Sequence, residues 1–189
     1  MIIKLHGTSG SGKTTIARAL MAGNIYSTIH NAANRKPEAY AMFHPLLQKS
    51  LVILGPYTAT CGGLDSLNNV DDHIRLLEQY GHINHVFYEG LLGSEYYGRI
   101  GKVSELFGDH HLFAFLDTPI ETCIERVKAR RIAAGNTKPL NEDNTRGRIA
   151  KIERLRYRLE HEFFRPTITI DHKNAVAQIL ELYRKSEQI

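Results

Sequence analysis

A chain of 189 residues is long enough to bury about 70% of its unfolded surface in one core and too short for two domains of ordinary size, so a single domain over 1–189 is expected. Its 42% hydrophobic and 23% charged residues suit a water-soluble globular protein, and its formal net charge of +4 fits phosphate ligands in general rather than nucleic acid in particular. No apolar run approaches the roughly 18 residues of a membrane span, and the first motif begins too close to Met1 for a signal peptide; a cytoplasmic protein without a membrane partner is expected.

The apolar run Met1 to Leu5 reads as a buried strand, and directly after it comes Gly7-Thr8-Ser9-Gly10-Ser11-Gly12-Lys13-Thr14. This stretch fits the phosphate-loop pattern G-x-x-x-x-G-K-[ST] at every fixed position, and Thr15 to Met21 supplies the apolar-periodic helix that the pattern requires. Glycines let the backbone approach a polyphosphate so that successive N–H groups and the helix N-terminus converge on it. The candidate nucleotide-binding residues are Gly7, Thr8, Ser9, Gly10, Ser11, Gly12, Lys13, Thr14 and Thr15. Lys13 is expected to reach the β- and γ-phosphates and the Thr14 hydroxyl to ligate Mg²⁺.

The first helix should fade at Gly23-Asn24, and residues 25–47 form the least regular part, with Tyr26 to Ile29 a possible short strand and Asn31 to Pro37 a loop. Leu51 to Leu54 reads as a strand buried on both faces, followed by a loop from Tyr57 to Asp65. A helix over Val70 to Tyr80, a strand at Val86 to Tyr88 and a helix over Tyr96 to Phe107 come next. His111 to Asp117 is a fourth strand, after which Thr118 and Pro119 should cap and open a basic helix that stops at Gly135-Asn136. A polar loop over Thr137 to Thr145, a charged helix over Arg146 to Phe163, a fifth strand at Thr167 to Ile170 and an amphipathic helix over Asn174 to Lys185 complete the chain. Alternating strands and helices of this kind predict an α/β fold with a doubly wound, five-stranded parallel sheet.

Ligands of such sheets bind outside the carboxyl ends of the strands, which singles out Thr58, Asp65, Glu89, Asp117, Asp171, His172 and Lys173. Glu89 ends its strand where an acid can hold Mg²⁺ or its bound water, or else cap the next helix. Asp65 can accept the proton of an acceptor hydroxyl across the cleft, or else serve as an N-cap. Roughly half of all Lys and Arg residues fall between Thr122 and Arg165. There an arginine-rich lid over about 126–148, with Arg126 and Arg130 as its candidate catalytic members, could stabilise a phosphoryl group and exclude water. His82, His85, His110 and His111 read as turn and strand-edge residues. Cys61 and Cys123 lie in no metal-ligand or disulfide-framework spacing.

These residues resemble the nucleoside monophosphate kinase-like group, thymidylate kinases included. A closer resemblance is carried by Gly55-Pro56-Tyr57, Cys61-Gly62-Gly63-Leu64-Asp65, Tyr88-Glu89-Gly90-Leu91-Leu92, Tyr97-Gly98-Arg99, Leu116-Asp117-Thr118-Pro119 and Cys123-Ile124-Glu125-Arg126-Val127. Together and in this order they are similar to bacteriophage kinases that phosphorylate 5-hydroxymethyluracil in DNA, a step in thymine hypermodification. The resemblance implies ATP and Mg²⁺ as cofactors, DNA containing 5-hydroxymethyluracil as partner, and DNA binding that weakens with salt. A kinase of a free nucleoside, nucleotide or other metabolite would share every residue named. A nucleotide-dependent switch is disfavoured, since the chain has no N-K-x-D motif and no D-x-x-G after its third predicted strand.

Overall fold

The computed structural model describes residues 1–30, 36–67, 70–90 and 105–188. Its strands are β1 (Ile2–His6), β2 (Tyr26–His30), β3 (Pro37–Met42), β4 (Leu51–Leu54), β5 (His85–Glu89), β6 (His111–Leu116) and β7 (Thr167–Ile170). The principal helices are α1 (Lys13–Met21), α2 (Val70–Gly81), α3 (Ile120–Ala133), α4 (Glu142–His161) and α5 (Ala175–Ser186).

The strands form one sheet in the order β2-β3-β4-β5-β1-β6-β7. The five predicted strands are present and mutually parallel in the β4-β5-β1-β6-β7 block. The sheet is nevertheless mixed and seven-stranded, because β2 and β3 add an antiparallel ribbon on the outer side of β4. Part of the loop expected over Asn31 to Pro37 lies outside the described residues, and Pro37 itself begins β3.

Alternation along the strands divides the core. Ile3, Leu5, Ile53 and Phe87 pack on one face with Leu20 of α1 and Ile179 and Tyr183 of α5. Ile2, Val52, Leu54, Val86 and Tyr88 pack on the other with Leu76 and Leu77 of α2. Phe113 and Phe115 meet Leu155 and Leu159 of α4. Buried on both faces, β4 reads as a continuous apolar run, and β1 and β5 are buried along their length although they carry Lys4, His6, His85 and Glu89.

Two helix starts and the placement of two histidines differ from expectation. α3 begins at Ile120 with no side-chain cap, and the Thr118 hydroxyl instead donates to the Ser11 carbonyl at 2.9 Å. α4 begins at Glu142 rather than Arg146, because the Asn141 side chain accepts from the Asp143 amide at 3.0 Å and starts the helix a turn earlier. His85 and His111 are buried strand residues rather than edge residues, at 1% and 0% exposure. Most of the helix expected over Tyr96 to Phe107 lies outside the described residues, as do Leu91-Leu92 and Tyr97-Gly98-Arg99. Among the described residues no helix is long and apolar enough to cross a membrane.

Candidate active site

Parallel pairing brings the carboxyl ends of β1, β4, β5, β6 and β7 to one rim, where the segments that follow them meet. A cavity of about 600 Å³ opens there, walled by residues 9–15, Thr60, Cys61, Asp65, Glu89, Arg126, Arg130 and His172 among others.

The glycine-rich loop is held from outside the cavity. Gly10 has φ 83°, and a Cβ there would lie 2.2 Å from the Cys123 carbonyl oxygen, so the loop can pass α3 only without a side chain. The Thr8 hydroxyl donates to the Thr145 carbonyl at 3.2 Å, and Arg148 donates to Ser9 Oγ at 2.6 Å, tying the loop to α4. Gly12 is the N-cap of α1 and supplies no side-chain cap, which leaves the first-turn N–H groups of the helix open to an anion.

Lys13 is only 8% exposed. Its ammonium folds back and donates to the carbonyls of Gly7 at 2.8 Å and Thr8 at 3.2 Å. Burial pulls its pKa below the ordinary lysine value, against the opposing pull of Glu89 and Asp65. The Thr14 hydroxyl donates to Glu89 Oε1 at 2.9 Å. Burial raises the Glu89 pKa, while Lys13 and the Thr14 hydroxyl hold it back. A Cβ at Gly63, where φ is 89°, would stand 2.6 Å from Glu89 Oε1, so the loop after β4 closes directly over this carboxylate. Oxygen donors from a hydroxyl and a carboxylate form a set that suits a hard cation such as Mg²⁺. Ser11 Oγ is buried with no hydrogen-bond partner among the described residues, a second sign of a loop shaped around something it does not itself contain.

Asp65 sits in the short 3-10 turn Leu64–Ser66, ahead of α2 and not at its N-cap. A Cβ at Gly90 would lie 2.8 Å from its Oδ1, which places the carboxylate over the end of β5, beside Glu89. His73 of α2, 4% exposed, contacts the Leu64 carbonyl through Nε2 at 2.9 Å and so holds this turn.

The structure therefore brings Lys13, Thr14, Asp65, Glu89, Arg126 and Arg130 to one cavity. Arg126 also donates to the Gly10 carbonyl at 3.4 Å. Other cations of the same segment are engaged elsewhere: Arg146 pairs with Glu121 at 2.9 Å, Lys128 pairs with Glu142 at 2.6 Å, and Arg131 donates to the Lys138 carbonyl at 2.8 Å. Of the remaining strand-end residues, His172 reaches the cavity and contacts Asp117 Oδ1 through its backbone N–H at 2.8 Å and Nδ1 at 2.9 Å.

Two features escaped the sequence reading. Arg18 donates to the carbonyls of Tyr57 and Ala59, fastening the loop after β4 to α1. Its spacing of one helical turn from Thr14 was the available signal. Lys4 lies buried within β1; burial lowers its pKa to about 7, and its Nζ has no hydrogen-bond partner among the described residues.

No family model matches the chain, and no solved structure matches it. Similar proteins include one of Pseudomonas phage PaMx11, described as a 5-hmdU DNA kinase, 32% identical over 78% of this chain and 79% of that protein. A protein of Pseudomonas phage M6 with the same description is 30% identical over 82% of each chain. Another, of Delftia phage PhiW-14, is 25% identical over 76% of this chain and 58% of that protein.

Proposed function

Because the chain belongs to the family of phage 5-hmdU DNA kinases, we propose that it transfers the γ-phosphate of ATP to the hydroxymethyl group of 5-hydroxymethyluracil in DNA. The protein is a phosphotransferase. The observation that carries the assignment of roles is the convergence of Lys13, the Thr14–Glu89 pair and Asp65 on one cavity. We assign the whole chain to one phosphate-loop kinase domain of nucleoside monophosphate kinase-like type, with residues 126–148 as its lid.

In this reading the acceptor's hydroxymethyl oxygen attacks the γ-phosphorus, the bond from that phosphorus to the β–γ bridging oxygen breaks, and ADP leaves. Asp65 takes the proton of the attacking hydroxyl, for which its place beside Glu89 at the end of β5 suits it. The loop amides and the first turn of α1 receive the phosphates. Lys13, whose ammonium rests on the carbonyls of Gly7 and Thr8, exchanges them for phosphate oxygens. Arg126 and Arg130 neutralise charge on the transferring group from the lid side of the cavity. Mg²⁺, when bound, would offset charge on the β- and γ-phosphates, and Thr14 and Glu89 are the residues that would hold it, Glu89 directly or through water.

The test is to offer γ-labelled ATP with DNA containing 5-hydroxymethyluracil, with ordinary thymine DNA and with free 5-hydroxymethyl nucleotides in parallel. Label is expected in the modified DNA and not in thymine DNA. Label confined to free nucleotides would make the protein a small-molecule kinase.

A further inference from the structure

The cavity holds two carboxylates, and each has a buried lysine on its flank. Glu89 has Lys13, whose charge opposes the rise that burial gives the Glu89 pKa. Asp65 has Lys4, which comes from the middle of β1 and is not among the residues that wall the cavity. We propose that Lys4 is the positioning residue of the acceptor side, its ammonium facing the Asp65 carboxylate from within the protein and holding it in place for the acceptor's hydroxyl. The proposal rests on the DNA-kinase reading above and adds to it a residue that touches neither substrate.

Geometry puts the two groups on one side of the sheet. Lys4 is the register partner of Tyr88 on β5, and its Nζ lies 5.6 Å from the centre of the Tyr88 ring. Residues two apart along an extended chain share a face, so the Gly90 position follows Tyr88 on that side, about 7 Å further on. The room that a Gly90 side chain would need is taken by Asp65, whose Oδ1 stands 2.8 Å from where the Cβ would be. Leu64, just before Asp65, packs in the same apolar layer as Tyr88 and Ile2. Asp65 therefore lies past the Tyr88 ring, on the face from which Lys4 projects.

The state of Lys4 asks for such a partner. The residue is 1% exposed, and its Nζ has no hydrogen-bond partner among the described residues. An ammonium buried in this way costs stability unless an opposite charge meets it. Its ionisable neighbours supply none: burial pulls the pKa values of His6, His73 and His111 below the ordinary histidine value and pushes the Tyr88 phenol well above its own, so all four are neutral near pH 7. Burial also lowers the Lys4 pKa to about 7, and the charge that works against this lowering is Asp65. Lys4 is felt as well by His73, which holds the turn carrying Asp65 through the Leu64 carbonyl. Glu89 and Asp65 repel each other across the cavity, as the contribution of Asp65 to the raised Glu89 pKa records. Lys13 faces both acids, but in the reaction it turns to phosphate. Lys4 is then the cation that stays behind Asp65.

Lys4→Met tests this, because it removes the charge and keeps a long unbranched side chain. With a buried, unpaired ammonium gone, the variant should melt at or above the parent's temperature. Its kcat with DNA containing 5-hydroxymethyluracil should fall about tenfold or more, while the KM values for ATP and for DNA stay within about twofold. In an Asp65→Asn background the same substitution should cost less than about twofold, since Lys4 acts through the carboxylate that the background lacks. An equal loss in both backgrounds, or a parental kcat in a folded Lys4→Met protein, overturns the proposal and leaves the kinase reading intact. Failure of both Lys4→Met and Lys4→Gln to fold makes Lys4 a residue of the core and overturns it too. A parent protein that labels no DNA overturns the reading, and this role with it.

Discussion

The two ends of the parallel strands both bury ionisable groups, and they treat them in opposite ways. At the amino end His85 contacts Glu187 Oε1 at 2.9 Å, with side chains only 1% and 4% exposed. The same oxygen accepts from the amides of Gln48 at 2.8 Å and Lys49 at 2.9 Å. Tyr183, next to this pair, donates to the Val86 carbonyl at 2.8 Å. Each of these partners is a fixed part of the protein. At the carboxyl end Lys13 rests on loop carbonyls, Ser11 Oγ has no partner, and Arg126 and Arg130 have no carboxylate partner among the described residues. A saturated cluster holds elements together, whereas one that leaves capacity open is arranged for a ligand.

The largest effect should come from the unsaturated end. Lys13→Ala removes the cation proposed to meet the phosphoryl group and should cost about 10²–10³ in transfer rate. Its melting temperature should stay near the parent's, because the bonds lost among the described residues are to carbonyls on the rim. A folded Lys13→Ala protein with near-parental turnover would break the comparison.

At the saturated end the expected pattern is reversed. Glu187→Ala takes the shared acceptor from His85 and two amides and should cost about 1–3 kcal/mol in urea unfolding, with kcat and KM close to parental at a temperature where the variant is folded. Comparable loss of rate and stability in this variant would show that the two ends are not separable.

A smaller effect sharpens the same contrast through pH. Burial lowers the His85 pKa, keeping the ring neutral. Burial alone would raise the Glu187 pKa, but the Lys49 amide, the His85 ring and the Gln48 amide outweigh it and hold it below the usual value. Both folded values then lie below the unfolded ones, so the unfolded chain binds more protons on acidification. The stability from His85 is present above its unfolded pKa, about 6.5, and is lost as pH falls below it, followed by that from Glu187 through the carboxylate range. Glu89, raised by burial, has the opposite sign and favours the folded state as pH falls through its own range. Melting temperatures from about pH 7.5 to 5 should therefore decline, and decline at least as steeply in Glu187→Ala, where His85 loses the carboxylate that holds its pKa up against burial.

The parallel core was legible in the sequence because strands buried on both faces are written as unbroken apolar runs, Leu51 to Leu54 being the plainest. The ribbon was legible only in part. Tyr26 to Ile29 reads as a possible strand and lies in β2, exposed except for the half-buried Ile29, whereas Pro37 to Met42 hides a glutamate whose burial depends on Arg75, far away in the chain. In the site, the glycine-rich loop and Glu89 were readable because each follows an apolar strand directly. Arg126 and Arg130, singled out from the sequence, line the cavity, but the partners of the other arginines were not readable, since a solvated arginine and a docked one have the same local sequence. Arg146 and Arg148 are two residues apart, yet one pairs with Glu121 and the other binds Ser9.

The central claim is that the carboxyl end divides its labour, with the loop and Lys13 holding the donor and Asp65 facing the acceptor. Asp65→Asn tests it most directly, with ATP affinity measured by calorimetry alongside single-turnover transfer to DNA containing 5-hydroxymethyluracil. The expected result is ATP binding within about twofold of the parent and transfer reduced by 10²-fold or more, roughly the range attributed to a positioned general base. Transfer at the parental rate, or loss of ATP binding in proportion to loss of transfer, would contradict it.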